Sequence, residues 1–234
     1  MPDDSRHYFH GFSPAAIEYL KDLTVNNNKP WFEEHKEDYK KLLQEPLQGL
    51  VMELSEFMLS IDPYFDVTPG KAISRIHRDT RFSKNKSPYR DTMWLTFKRS
   101  AKEWSTNPAF FFELSPHSYR YGMGYFSADP ETMEGFRERM DTSVEEFKKA
   151  IAFYPQQQIF TLEGDKYKRV LDKTKPGELA DWYQRKNLYL VCLREIDGRL
   201  FSRELAAELI ANFQIISGFY QYLLHIKDRR RQAK

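Results

Sequence analysis

Cysteine is almost missing from this chain. Cys192 is the sole one in 234 residues, which excludes an internal disulfide framework. Its place in an apolar run suits a reducing cytoplasm, the compartment expected for the protein. Long hydrophobic runs are missing too: the longest are a few residues, far short of the ~20 that a membrane helix needs, and the mean hydropathy is −0.70. No membrane partner is therefore expected. The opening MPDDSRHYFHGF carries acids and no apolar core, so it does not read as a secretory signal. Net charge is also scarce. Lys and Arg total 36 against 34 Asp and Glu, a balance of +2, which is too mild to argue for nucleic acid except through local clustering.

The familiar catalytic and cofactor signatures are absent as well. The chain holds no C-x-x-C, H-E-x-x-H, G-x-x-x-x-G-K-[ST] or G-x-S-x-G. Its one Gly-x-Gly, Gly122-Met123-Gly124, lacks a third glycine, since Ser127 stands there. Those glycines are expected to mark a bulge or a close backbone approach within a strand. No His and carboxylate set has metal-ligand spacing, so neither a cofactor nor a metal is expected.

What the chain does have is aromatic residues, 15% of the total with 18 Phe and 14 Tyr, enough for a large core. Pattern divides it into a helical first part, a strand-rich middle and a helical end. Ser13-Pro14 opens a helix with a cap followed by proline, Asn26-Asn27-Asn28 stops it, and Pro30 opens the next. Pro46 breaks or restarts that helix, and Asp62-Pro63 closes the helical part. Strands are expected over 72–76, 93–97, 110–114, 119–126, 160–162 and 188–196, and helices after Asp129-Pro130, over 143–153, over 176–186 and after Ser202. Helices at both ends of a strand-rich middle, without regular βαβ alternation, predict an α+β fold. The expectation is a single domain with a mainly antiparallel central sheet, on which helices from both chain ends pack. Residues 1–11 read as an N-terminal arm, 12–226 as the domain and 227–234 as a basic tail.

One stretch stands out chemically. Residues 71–90, KAISRIHRDTRFSKNKSPYR, hold seven Lys or Arg against one acid, Asp79, in a chain whose whole charge is +2. If extended, Arg75, His77, Asp79 and Arg81 share one face and Ser74, Ile76, Arg78 and Thr80 the other; if helical, Arg75, Arg78 and Asp79 share a face. Periodicity does not choose between them. Guanidinium forks match phosphate and carboxylate oxygens bidentately, and lysine adds a mobile point charge. The expected ligand site is Arg75, Arg78, Arg81, Lys84, Lys86 and Tyr89, on a turn fixed by Pro88. Arg81 is expected to meet the ligand and Arg75 to brace the fold. An enzyme built on this site would use Asp79 as base and rely on charge stabilisation. In the bland alternative the arginines pair with acids such as Asp79, Asp91 or Glu113, and the protein meets partners without catalysis. A third reading is a nucleic-acid surface in which the stretch joins Trp94 and the Arg229–Arg231 tail. A small anion is the first expectation for a partner.

At these residues the chain resembles a known family. The run Ile73-Ser-Arg75-Ile-His-Arg78-Asp79-x-Arg81-Phe82-Ser83-Lys84-x-Lys86-x-Pro88-Tyr89 is similar to the signature of the conserved family called domain of unknown function 2461. Asn28 with Trp31-Phe32, Gly122-x-Gly124-Tyr125-Phe126, Gly164-Asp165-x-Tyr167-Lys168-Arg169 and Lys186-x-Leu188 match as well. The resemblance spans about Phe12 to Leu224 and implies a single domain. It carries no reaction or residue roles.

Overall fold

The computed structural model describes residues 8–81, 84–99 and 107–232, with side chains to residue 226. Helix α1 (Pro14–Val25) starts where proline sits in the first turn, a position whose N–H has no helical partner in any case. Asn28 caps α2 (Lys29–Glu34) by accepting from the Trp31 N–H at 3.1 Å. A short α3 (Lys36–Tyr39) then runs through one π-helical turn, Lys40–Gln44, into α4 (Glu45–Ile61). Pro46 therefore restarts the helix, because a wider turn precedes the residue that has no N–H to donate. After the single-turn α5 (Pro69–Ala72), β1 (Met93–Phe97), β2 (Ala109–Leu114) and β3 (Ser118–Gly124) follow. Helices α6 (Pro130–Thr142) and α7 (Val144–Ile151), β4 (Thr161–Glu163), α8 (Gly177–Tyr183), β5 (Tyr189–Glu195) and α9 (Glu204–Gln232) complete the chain.

The five strands form one antiparallel sheet in the order β1-β2-β3-β5-β4, and the fold is α+β within a single domain. In β1, buried Met93, Leu95 and Phe97 alternate with half-buried Trp94 and Thr96, as a strand with two unlike faces requires. On the edge, β4 pairs with β5 so that Leu162 stands opposite Leu190. The glycines of β3 mark a close approach, as expected. A Cβ on Gly122 would lie 1.8 Å from the Leu190 carbonyl oxygen, and one on Gly124 would lie 2.4 Å from that of Leu188. Only glycine lets the two backbones come this near.

Two compact units divide the described chain. The first comprises residues up to 97, with 111–120 and 193–210; the second comprises 98–110, 121–192 and 211 onward. In the first, α4 packs on β1, and Phe12 stacks on Phe112 with centroids 6.0 Å apart. In the second, Phe213 and Tyr220 of α9 pack their rings against Phe110. Asn212 donates to the buried Tyr121 hydroxyl at 2.7 Å. Arg185, 7% exposed, is held there by the Gly164 and Leu162 carbonyls and the Asp181 carboxylate.

Both chain ends take definite form, and one expected strand changes. The described end of the N-terminal arm is packed: Phe9 is 1% exposed and meets Phe12 edge-on. Helix α9 runs to Gln232, so its backbone includes Lys227–Arg231 of the basic tail. Ala72 ends a helical turn begun by Pro69, and the strand expected over 72–76 is reduced to isolated bridges beginning at Ile73. Among the described residues no helix is long and apolar enough to cross a membrane.

Candidate functional site

The basic stretch is an irregular antiparallel hairpin lying wholly in the first unit. Ile73 bridges Leu95 and His77 bridges Tyr89. The Arg78 N–H donates to the Pro88 carbonyl at 2.8 Å, and the Arg90 N–H donates to the Ile76 carbonyl at 2.8 Å. The pairing sums differ by two between the bridges at 73 and 77, so the returning strand carries extra residues around Asp91 and Thr92. The extended alternative therefore holds over 73–78. Exposure follows it: Arg75, His77, Asp79 and Arg81 are exposed, Ile76 is buried, and Ser74, Arg78 and Thr80 are half-buried.

Tyr89 anchors the returning strand. It is 3% exposed, and its ring stacks on Phe32 with centroids 4.1 Å apart and lies 5.3 Å from His77. Burial raises its hydroxyl above the usual phenol range, with Glu33 adding to the shift. The strand is tied to the α1–α2 connection by one side chain. Asn27 accepts from the Tyr89 N–H and donates to the Tyr89 carbonyl, both at 3.0 Å. A side-chain amide thus acts as a one-residue β-bridge. Buried and clamped in this way, Tyr89 is a structural post and presents no surface to a ligand.

The cations separate into distinct environments. Arg81 grips Asp79 with a fork, Nε to Oδ1 at 3.0 Å and Nη2 to Oδ2 at 2.7 Å. The side chains are 78% and 53% exposed, so this is a surface pair. It holds the Asp79 carboxyl down to about 2, chiefly through the Arg81 side chain and then its N–H. A carboxylate kept ionised that firmly is a poor base at neutral pH, which speaks against the catalytic role considered for Asp79. Lys86 is turned back onto the Thr80 carbonyl at 2.9 Å. Arg75 and Lys84 are exposed, with no ion pair among the described residues. Arg81, expected to meet the ligand, is the paired one, and Arg75, expected to brace the fold, has no ion pair among the described residues. Phe82 and Ser83 lie outside the described residues.

Arg78 behaves differently. With Arg78 opposite Pro88 and Arg90 opposite Ile76, the two arginines are diagonal neighbours on one face of the hairpin. Diagonal Cα atoms in such a ladder lie about 7–8 Å apart, within reach of long side chains. The Arg90 guanidinium lies 4.6 Å over the Trp94 ring. Partial burial, then the nearby charge of Arg78, lowers its pKa. The nearest carboxylate to Arg78 is Asp91 at 3.9 Å, beyond hydrogen-bond distance. Of the acids named from sequence, Asp91 does face an arginine of the stretch, whereas Glu113 pairs with Arg120 at 2.7 Å. Arg90 was missing from the expected site residues. Its signal was the same charge run, but only the register sets it beside Arg78.

Among curated proteins no relative matches this chain. The family described as Conserved hypothetical protein (DUF2461) matches residues 15–222, and the chain belongs to that family.

Proposed function

We propose that this protein binds a phosphate- or carboxylate-bearing ligand at the paired guanidiniums of Arg78 and Arg90. One observation carries the reading: two arginines share one face of a clamped hairpin, and no carboxylate among the described residues lies within hydrogen-bond distance of either. Like charges held together without a tight counter-ion are stabilised when an anion enters between them. The fork geometry of guanidinium favours oxyanions. Trp94 beneath Arg90 limits its rotamers, so less conformational freedom is lost on binding. Lys84 and Arg75 would add to the field around the site rather than contact the ligand with these two.

Among the described residues the bracing alternative is favoured by the Asp79–Arg81 fork and, more loosely, by Asp91 facing Arg78 at 3.9 Å. A nucleic-acid reading would draw on the Lys227–Arg231 side chains, which lie outside the described residues.

The test is thermal shift and calorimetry of the whole chain with inorganic phosphate, a nucleoside monophosphate and a dicarboxylate. At 100 times its Kd a ligand adds ~2.7 kcal/mol to stability. Arg78→Lys and Arg90→Lys keep the charge but lose the fork, and are expected to weaken binding by roughly 1–3 kcal/mol with little change in the unliganded melting temperature. Arg81→Lys should bind as the parent does. The proposal fails if no anion stabilises the protein, or if the Arg78 and Arg90 variants bind like wild type.

A further inference from the structure

The second unit holds another group of cations, around Tyr167, with no carboxylate partner among the described residues. Arg137 of α6 sets its guanidinium carbon 5.6 Å from the centre of the Tyr167 ring, and the Lys186 ammonium stands over the same ring at 5.4 Å. Neither side chain pairs with a carboxylate among the described residues. Lys168 and Arg169 flank the tyrosine, are exposed, and likewise have no ion pair there.

The surrounding cations show how unusual this is. Lys166 and Arg185 share Asp181. Lys175 is held by Asp141 and Asp172, and Arg139 by Glu146. Those four cations are paired with acids, whereas Arg137 and Lys186 each lie against the Tyr167 ring with no acid partner among the described residues.

The backbone that presents them is fixed. Gln184 clamps the loop after β4 with its side chain, donating to the Tyr167 carbonyl at 2.7 Å and the Arg169 carbonyl at 2.5 Å, and accepting from the Leu171 N–H at 3.1 Å. Asn187 accepts from the Asp165 N–H at 2.8 Å, and the Lys186 N–H donates to the Asp165 carbonyl at 2.7 Å. Gly164, at φ +121, lets the chain turn where a Cβ would lie 2.1 Å from the Asn187 carbonyl oxygen. Arg137 itself is steadied by donating Nη1 to the Arg185 carbonyl at 3.2 Å. These contacts fix the ring against which both cations lie. The ring's negative face offsets part of their repulsion and leaves their outward N–H groups for an anion.

We propose that Arg137, Tyr167 and Lys186 form a second anion site, separate in residues from the hairpin, that binds a phosphate group. Phosphate fits better than a lone carboxylate because Arg137, Lys168, Arg169 and Lys186 outnumber the two acids of the loop, Asp165 and Asp172, of which Asp172 is engaged by Lys175, an excess that suits a multiply charged oxyanion. The tyrosine serves by its ring, since both cations lie over it; its hydroxyl has no part. Lys168 and Arg169 would extend the site along a longer phosphate-bearing ligand.

Inorganic phosphate titrated into the isotope-labelled full chain, followed by NMR, reads this site apart from the hairpin. The Lys186 and Arg137 side-chain signals are expected to shift together with one affinity. Lys186→Gln and Arg137→Gln should each weaken that affinity roughly tenfold or more, whereas Tyr167→Phe should leave it unchanged. Lys186→Gln is the safer variant, because the Lys186 side chain makes no hydrogen bond among the described residues. A short single-stranded oligonucleotide is the second probe. Competition with phosphate at these signals, weakening steeply with salt, supports the site and assigns a phosphodiester chain. Phosphate binding without competition supports it and assigns a compact phosphate. The proposal is overturned if phosphate leaves the Lys186 and Arg137 signals unmoved, or if both Gln variants bind as the wild type does.

Discussion

Asn27→Ala gives the sharpest check on how the basic hairpin is held. The substitution removes both hydrogen bonds between the Asn27 amide and the Tyr89 backbone, each at 3.0 Å. Each is a neutral bond with a net contribution of about 0.5–1.5 kcal/mol. Tyr89 is 3% exposed, so water replaces the lost partners poorly and an unsatisfied N–H and carbonyl add to the cost. The expected loss is therefore about 2–3 kcal/mol, which for a chain of this size corresponds to a fall of roughly 4–12 °C in melting temperature. Urea unfolding is the assay, with a lower midpoint at unchanged slope as the expected signature. Asn26→Ala is the control. It removes only the exposed bond to the Asp22 carbonyl and should cost well under half as much. A loss below about 0.5 kcal/mol for Asn27→Ala would refute the reasoning, because the hairpin would then be held by Phe32–Tyr89 stacking and its own bridges alone. Anion affinity at Arg78 and Arg90 should fall with the clamp, since Arg90 directly follows Tyr89.

Gly124→Ala is expected to abolish soluble expression or destabilise by more than about 4 kcal/mol, because its Cβ would meet Leu188 and Tyr189 backbone atoms at 2.4 Å; circular dichroism of whatever protein is recovered checks it. Asp79 should titrate by NMR with a midpoint near 2, and Arg81→Gln should move that midpoint toward the ordinary carboxylate range. The sign follows from the depressed value: whatever stability the pair contributes is present above the unfolded carboxylate pKa of about 3.9 and is lost as pH falls toward 2. A midpoint for Asp79 near 4 in the parent protein would show that the fork does not form in solution.

Local chemistry in the sequence determined most of the secondary structure. Pro14, Asn28 and the Asp129-Pro130 pair announce helix starts because a cap and a fixed φ act within a few residues, and Asp129 does accept from the Thr132 N–H at 2.7 Å. The alternation Met93-Trp94-Leu95-Thr96-Phe97 reads directly as a half-buried strand. The Gly122-Met123-Gly124 segment was legible as a close backbone approach, though not the strand it approaches. The charge of residues 71–90 was equally visible, and with it the expectation of an oxyanion site. Only the tertiary structure decided which cations act together. Whether Arg75–Arg81 is extended depends on pairing with residues 88–95, a long-range choice that leaves no period in so short a run. That same register places Arg90 beside Arg78 and turns Arg75 to the other face. The Asn27 clamp joins residues 62 positions apart, and the cluster at Tyr167 draws Arg137 and Lys186 from different elements. Spacing along the chain records neighbours in sequence, whereas electrostatic sites are made by neighbours in space, and the fold alone supplies those.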